Sequence, residues 1–349
     1  MSETRIDDAL LSQPGRLITL GCAMMASGRG EKAVALVEAA LARHPDDPLL
    51  RRAAESILTH KVPTFHRDML ADQRRNRAYR LAIEKAAPAG KSVLDIGAGS
   101  GLLAMMAARA GAARVYACEA DRALAATARA IVAANGFGDR IEVIARHSSA
   151  LDARDDLDGG VDLIIAEVFA NDLIGEGALP ALGHAMAALA RPGARIIPAG
   201  AAIRIALAHY RGRGASSVGT AEGFDVGPFA RHAPRVVNVA PDNERLALRS
   251  APRDLFRFDF QNDRDFAESR LCVWAEAEGG PVNGVAQWLR VELDAEIAYE
   301  NAPGGGGSHW AVLFHPFDEE IAPPPGSRIA IQGWHDERRL LLAPDLAQR

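Results

Sequence analysis

Two carboxylates in this chain are spaced for chemistry. Glu167 ends the apolar run Leu163-Ile164-Ile165-Ala166, and Glu176 follows nine residues later between Gly175 and Gly177. Two glutamates that face one another repel unless a cation sits between them. A guanidinium, planar and carrying five N–H donors, suits such a gap through charge-assisted pairs. The glycines flanking Glu176 allow its loop to fold back sharply. The same spacing also suits a plainer arrangement, with one glutamate capping the next helix and the other on a solvated loop. Spacing alone leaves both open.

A second feature is the stretch Val93-Leu94-Asp95-Ile96-Gly97-Ala98-Gly99-Ser100-Gly101-Leu102-Leu103, followed by Val115-Tyr116-Ala117-Cys118-Glu119. An apolar run enters a turn with Gly97, Gly99 and Gly101, an Ala-rich helix starts at Leu102, and a second apolar run ends on an acid. This is the pattern of a βαβ unit that holds a nucleoside. The glycines let the backbone come close to the ligand, and Glu119 stands where a carboxylate grips the ribose hydroxyls.

These residues need a frame. Strand signals at Val93–Ile96, Val115–Cys118, 141–145, Leu163–Ala166 and Ile196–Ile197 alternate with helical segments, which predicts a parallel sheet with helices on both faces. In such sheets ligands bind beyond the carboxyl ends of the strands, which places Glu167 at the ligand's edge. After Pro198 the apolar residues recur with period two: Ile203, Ile205 and Leu207; Phe256, Phe258 and Phe260; Leu271, Val273 and Ala275; Leu289, Val291 and Leu293; Ile329 and Ile331. That is an antiparallel sheet or barrel, interrupted by an excursion over 211–252. Lys61 to Ala87 reads as an extended start followed by a helix with Met69, Leu70, Ala78, Leu81 and Ala82 on one face. Residues 14–47 fit one helix–turn–helix of the tetratricopeptide kind through Leu17, Leu20, Gly21, Met24, Ala33, Val37, Ala40 and Pro45. A single repeat must lean on something else, so it is read as a helical cap. The expected architecture is α/β: a helical tetratricopeptide-like segment over 1–60, a Rossmann-like domain over 61–198 and an antiparallel β-barrel domain over 199–349.

Bulk properties narrow the classes. The net charge of −5 argues against a broadly basic nucleic-acid-binding surface. Cys22, Cys118 and Cys272 stand far apart with no CxxC and read as reduced, buried thiols of a cytoplasmic protein without a metal site. Met1 to Asp8 has no basic start followed by an apolar stretch, so no signal peptide is expected. No uncharged apolar run of about 18 residues marks a membrane span.

In these motifs, taken in order over roughly residues 61–349, the chain resembles the protein arginine methyltransferases. Val93 to Gly101 resembles the family's first motif, Glu119 its ribose-binding acid, and Glu167 with Glu176 its paired-glutamate loop. Leu173-Ile174-Gly175-Glu176-Gly177-Ala178-Leu179-Pro180 is similar to the monomethylating branch. Met69-Leu70-Ala71-Asp72-Gln73-Arg74-Arg75-Asn76 resembles the helix over the cofactor. Ser308-His309-Trp310 stands where the family has a Thr-His-Trp loop. Gly223-Phe224-Asp225-Val226 resembles the start of the dimerisation arm, here about 222–242. The chain departs from the family at Ser308, at Ser149 (where many members have an adenine-contacting glutamate), in Val62-Pro63-Thr64-Phe65-His66, and in the Arg- and Pro-containing arm.

The resemblance implies S-adenosyl-L-methionine as cofactor and, as acceptor, arginine in protein or free arginine or another small guanidine, with no nucleic acid and no membrane partner. It implies a homodimer. Met69, Arg75, Asp95, Gly97, Gly99, Gly101, Leu102, Glu119 and Ser149 would bind the cofactor, with Arg75 pairing its carboxylate and Met69 beside the methyl group. Glu167, Glu176 and Trp310 would hold the substrate, and a His309–Asp72 pair or one of the glutamates would take the proton. Two other readings remain: an amino-group methyltransferase of the lysine or ribosomal-protein type, and a non-catalytic adaptor that uses the helical repeat.

Overall fold

The computed structural model describes residues 12–59, 65–86, 88–212, 219–232 and 235–345. The chain divides into two compact units, one comprising 1–70, 83–167 and 188–195, the other 71–82, 168–187 and 196–349.

The first unit contains a five-stranded sheet of β1 (Ser92–Ile96), β2 (Arg114–Cys118), β3 (Ile141–Ile144), β4 (Val161–Ala166) and β5 (Ala190–Ile197, its last two residues in the second unit), in the order β3-β2-β1-β4-β5 and with the first four strands parallel. Strands buried on both faces read as unbroken apolar runs, and Val93, Leu94, Val115, Ala117, Ile164 and Ile165 are fully buried. The strand order reverses between β1 and β4, and doubly wound sheets take their ligands beyond the carboxyl ends of the strands at such a reversal.

The N-terminal helices Pro14–Ala26, Gly30–Arg43 and Pro48–Leu58 close on Leu17, Leu36, Val37, Leu50 and Ile57. A Cβ on Gly21 would come within 2.6 Å of Ile57, so this crossing requires glycine. The helices rest on the parallel-sheet unit: Gly30 abuts the backbone of Ala123, and Glu31 pairs with Arg129 at 2.7 Å. Asp47 caps the third helix by accepting from the amides of Leu49 and Leu50.

The region read as one helix before β1 is two, Phe65–Ala71 and Gln73–Lys85. The break is at Asp72. Its Oδ1 accepts the Arg75 amide at 2.9 Å while its carbonyl takes the Asn76 amide, the arrangement of an N-cap.

The second unit is antiparallel. Its strands are β6 (Gly200–Tyr210), the hairpin β7 (Thr220–Ala221) and β8 (Phe224–Asp225), β9 (Val237–Val239), β10 (Leu246–Leu248), β11 (Arg253–Asp259), β12 (Ser269–Glu276), β13 (Val282–Glu292), β14 (Ala298–Glu300), β15 (Val312–Ile321), β16 (Arg328–His335) and β17 (Leu340–Asp345). A seven-stranded sheet runs β10-β6-β13-β15-β9, with β11 on β6 and β14 on β13, and β12-β16-β17 form a second sheet. The excursion after residue 211 is only partly outside this sheet, because β9 and β10 return to it. Among the described residues no helix is long and apolar enough to cross a membrane.

Candidate active site

Each unit carries part of the chemistry-bearing set. In the first unit the loop after β1 turns through Gly97, Gly99 and Gly101, with φ of 68°, 52° and 78°. A side chain is strained in this left-handed region, so the spacing of glycines is a backbone requirement. The Gly97 and Ala98 amides are held by the Cys118 carbonyl, which ties the turn to the end of β2. Glu119 continues from β2 and braces the turn. Its Oε2 accepts the Gly99 amide and its Oε1 the Asp121 amide, both at 2.9 Å. Asp95, 1% exposed, accepts the Ala104 amide in the first turn of the helix Leu102–Arg109.

The cradle is therefore lined by carboxylates. A phosphate would be repelled there, whereas a nucleoside bearing an ammonium and a sulfonium would be attracted. The donor set fits S-adenosylmethionine.

The structure adds a residue to which the sequence reading gave no role. His66, in the helix Phe65–Ala71, is the nearest neighbour to a Cβ built on Gly99, with Nδ1 at 3.8 Å. Burial holds its imidazole below the ordinary histidine range although Glu119, Glu167 and Asp121 all act to raise it. His66 is therefore neutral at pH 7 and faces the glycine turn. Its spacing from Met69, one helical turn on, is the signal that could have found it. Glu167 extends directly from β4, whose Ala166 pairs in register with Ile96 of β1, and it is half-buried.

Ser149 sits in a short turn after β3. It is exposed, with its hydroxyl 2.8 Å from Nδ1 of His147. Its neighbour Ser148 is the buried one, and the Ser148 hydroxyl has no partner among the described residues.

In the second unit the loop bearing Glu176 is a chain of tight turns. The Leu173 amide reaches the Ala170 carbonyl, the Gly175 amide reaches Asp172 Oδ1 at 2.8 Å, and the Gly177 amide reaches the Ile174 carbonyl. Leu173 is fully buried yet has φ of 78°, a strained conformation that surrounding packing must enforce. Glu176 is exposed at the end of this loop, before the helix Ala178–His184.

Two contacts fasten this loop to the segment Ser308–Ala311. Trp310 Nε1 donates to the Phe169 carbonyl, and the Ala311 amide donates to Asn171 Oδ1 at 3.0 Å. Trp310 is 3% exposed and packs edge-on against Phe169, so in the structure it braces the loop. Asn301, fully buried at the end of β14, holds the Trp310 and Ala311 carbonyls from the other side.

The same segment delivers His309 to Asp72. Their side chains are 4% and 3% exposed, with Nδ1 3.0 Å from Asp72 Oδ2. That oxygen also accepts the His309 amide and the Tyr299 hydroxyl. Burial alone would raise the Asp72 carboxyl. The hydrogen bonds from His309, from Tyr299 and from the amides of Arg75 and His309 outweigh it and hold the group well below the carboxylate range. An ionised Asp72 fixes the imidazole tautomer with its proton on Nδ1, which puts the lone pair on Nε2. Arg75 is 2% exposed. Its Nη1 donates to Asn76 Oδ1 and its guanidinium lies over the Tyr79 ring, both neutral groups.

Comparison with known proteins extends across both units. The family model described as ribosomal protein L11 methyltransferase (PrmA) matches residues 81–201, the parallel-sheet part. The arginine N(omega)-methyltransferase of Streptomyces achromogenes subsp. streptozoticus is 36% identical over 350 residues, covering 96% of this chain and 94% of that protein. Protein arginine N-methyltransferase 7 of Oryza sativa subsp. japonica is 34% identical over 266 residues, 69% of this chain, and this chain covers 37% of it. The chain thus spans less than half the length of that relative. Among solved structures, the Trypanosoma brucei PRMT1 enzyme–prozyme heterotetrameric complex with AdoHcy gives a TM-score of 0.67 at 22% identity, over 79% of this chain and 88% of that one. Protein arginine methyltransferase 10 of Arabidopsis thaliana gives 0.64 at 24%, over 77% and 86%. These two show the fold.

Proposed function

The chain belongs to the arginine N-methyltransferase family, and from that premise we propose that it transfers a methyl group from S-adenosylmethionine to a guanidino nitrogen of arginine. The observation that carries this reading is the near full-length match to an arginine methyltransferase, which continues through the antiparallel unit. The amino-group reading has in its favour a model that stops at residue 201, and the parallel-sheet part is where methyltransferases of different acceptors share their cofactor site.

S-adenosylmethionine supplies an electrophilic methyl group on a sulfonium. Glu119, Asp95 and the turn Gly97–Gly101 with Leu102 would bind it, with His66 and Met69 beside them, Arg75 would take its carboxylate, and the Ser148–Ser149 turn would meet the adenine. A guanidinium is a poor nucleophile because its lone pairs are delocalised and its pKa lies above about 12. Glu167 and Glu176 fix its approach and draw positive charge toward the nitrogens they bind, so that the third nitrogen regains electron density. The proton released on methylation passes to Nε2 of His309, with Asp72 stabilising the imidazolium.

We further place the chain as a homodimer. Phe224 and Phe229, 73% and 70% exposed on the segment after β7, support this, and sedimentation equilibrium showing only monomer at micromolar concentration would refute it. Of the three cysteines expected to be buried only Cys118 is, Cys22 being half-buried and Cys272 exposed; that no disulfide joins them supports a cytoplasmic setting.

The test is methyl-labelled S-adenosylmethionine offered with free arginine, an Arg-rich peptide or a Lys-rich peptide, with product masses. Label in an arginine arm is expected, and the arm that takes it identifies the acceptor. Label confined to lysine would move the chain to the amino-group class. Cofactor binding with no label in any arm would favour the adaptor.

A further inference from the structure

We propose that Tyr299 is a positioning residue of this site: its hydroxyl, held by Ser308, governs how Asp72 engages the imidazole of His309. The inference rests on the reading above that His309 receives the proton.

Tyr299 lies on β14, where successive side chains point to opposite faces. Its neighbour Glu300 anchors the strand on one side, accepting from Trp288 Nε1 at 2.7 Å, from Arg204 and from Arg290. Tyr299 is thereby presented on the other side, where its hydroxyl reaches Asp72 Oδ2. The Ser308 hydroxyl lies 2.7 Å from the same phenol oxygen, and the Trp310 amide donates to Ser308 Oγ at 3.1 Å.

A phenol has one proton. With that proton on Asp72, the one between the two hydroxyls belongs to Ser308. The result is a directed chain, from the Trp310 amide to Ser308, from Ser308 to Tyr299 and from Tyr299 to Asp72. It meets the His309 Nδ1 proton at the same carboxylate oxygen. Donors in series polarise one another, so Ser308 strengthens the bond from Tyr299.

The consequence for His309 follows from competition. A carboxylate oxygen that already accepts a strong O–H donor attracts the imidazole proton less. Remove the phenol hydroxyl, and Asp72 stabilises the imidazolium more.

The groups around the pair agree with this direction. Burial and the adjoining Asp72 push the Tyr299 phenol above its ordinary range, so it remains a donor at working pH. Arg74 lies over the Tyr299 ring at 5.9 Å, while Arg75 gives Asp72 its backbone amide and turns its guanidinium to Tyr79. The ring packs independently of its hydroxyl: it stacks on His309 at 11° between planes and lies 5.4 Å from Trp310. Phenylalanine keeps those contacts and deletes only the hydroxyl.

The test is Tyr299→Phe, read by an NMR titration of the His309 imidazole and by the pH profile of kcat/KM for arginine. We expect the imidazole midpoint to rise by about half a pH unit or more, roughly a threefold change in proton affinity. The acidic limb of the profile should move with it, while KM for S-adenosylmethionine changes less than about twofold. Ser308→Ala should move the midpoint the same way by less, and Ser308→Thr, which keeps the hydroxyl, should restore it. An unmoved or lowered midpoint in Tyr299→Phe, or a rate loss equal at every pH, would overturn the proposal. If Tyr299→Phe does not fold, an unmoved midpoint in Ser308→Ala has the same force. The titration requires no turnover, so an inactive wild-type protein would count against the proposed function alone.

Discussion

Glu176→Gln is expected to lower methyl transfer by roughly a hundredfold or more while the affinity for S-adenosylmethionine stays within a few fold. The substitution keeps shape and removes charge. A neutral amide can still donate and accept, but it cannot form the charge-assisted pair that draws positive charge along a guanidinium. The separation of effects follows from the proposed roles: Glu176 holds the guanidinium, whereas Asp95, the glycine turn and Glu119 hold the nucleoside. The loop is also held by the Ala170–Leu173, Asp172–Gly175 and Ile174–Gly177 turns and by the contacts of Asn171 and Phe169 to Ala311 and Trp310. A folded variant is therefore expected, and circular dichroism checks it. Single-turnover rates at saturating cofactor, with a parallel binding titration, separate the two quantities. Near-normal turnover would remove Glu176 from the chemistry, and a cofactor affinity that fell in step with the rate would move it to the nucleoside site.

What the sequence made legible follows from which features are local. The parallel strands are continuous apolar runs, and the glycines at 97, 99 and 101 report a backbone conformation that hardly another residue adopts. Both kinds of signal sit within a few residues of the feature they create. β5 was legible only at Ile196–Ile197 because its first half, Ala190-Arg191-Pro192-Gly193, is partly exposed and carries no periodicity. β15 was hidden because Val312, Leu313 and Phe314 are all buried, which erases alternation, and Pro316 then reads as a breaker. The break at Asp72 was hidden for a different reason. The helical face continues across it, and what stops the helix is a carboxylate whose second oxygen is claimed from 227 residues away by Tyr299. Tyr299 and Asn301 carry no motif at all. Their roles exist only through pairings of β13, β14 and β15 that place the Ser308–Ala311 segment. Trp310 was read from the resemblance as a substrate contact, and its second task, fastening one loop to another through its indole N–H, is visible only in the fold.

Glu119→Ala should weaken S-adenosylmethionine binding by roughly ten- to a hundredfold, the equivalent of about 1.5–3 kcal/mol for a lost hydrogen-bonding carboxylate, and leave the rate at saturating cofactor much less affected. Glu119 does two things at once. Its oxygens accept the amides of Gly99 and Asp121, which fixes the glycine turn against the end of β2, and in the proposed function their remaining lone pairs would take the ribose hydroxyls. Alanine removes the ribose contact and also leaves two amides without their acceptor, so part of the loss is a turn that must now be ordered by the ligand. Glu119→Gln separates the parts. Its single carbonyl oxygen can satisfy one amide, and its NH2 cannot accept the other, so its affinity should fall between wild type and Glu119→Ala. The flanking strands should survive either change, because Val93, Leu94, Val115 and Ala117 are fully buried without reference to Glu119. Calorimetric titration of the three proteins tests the order directly. Equal affinities for wild type and Glu119→Ala would show that the turn is held by Cys118 and the glycines alone, and would remove Glu119 from the cofactor site.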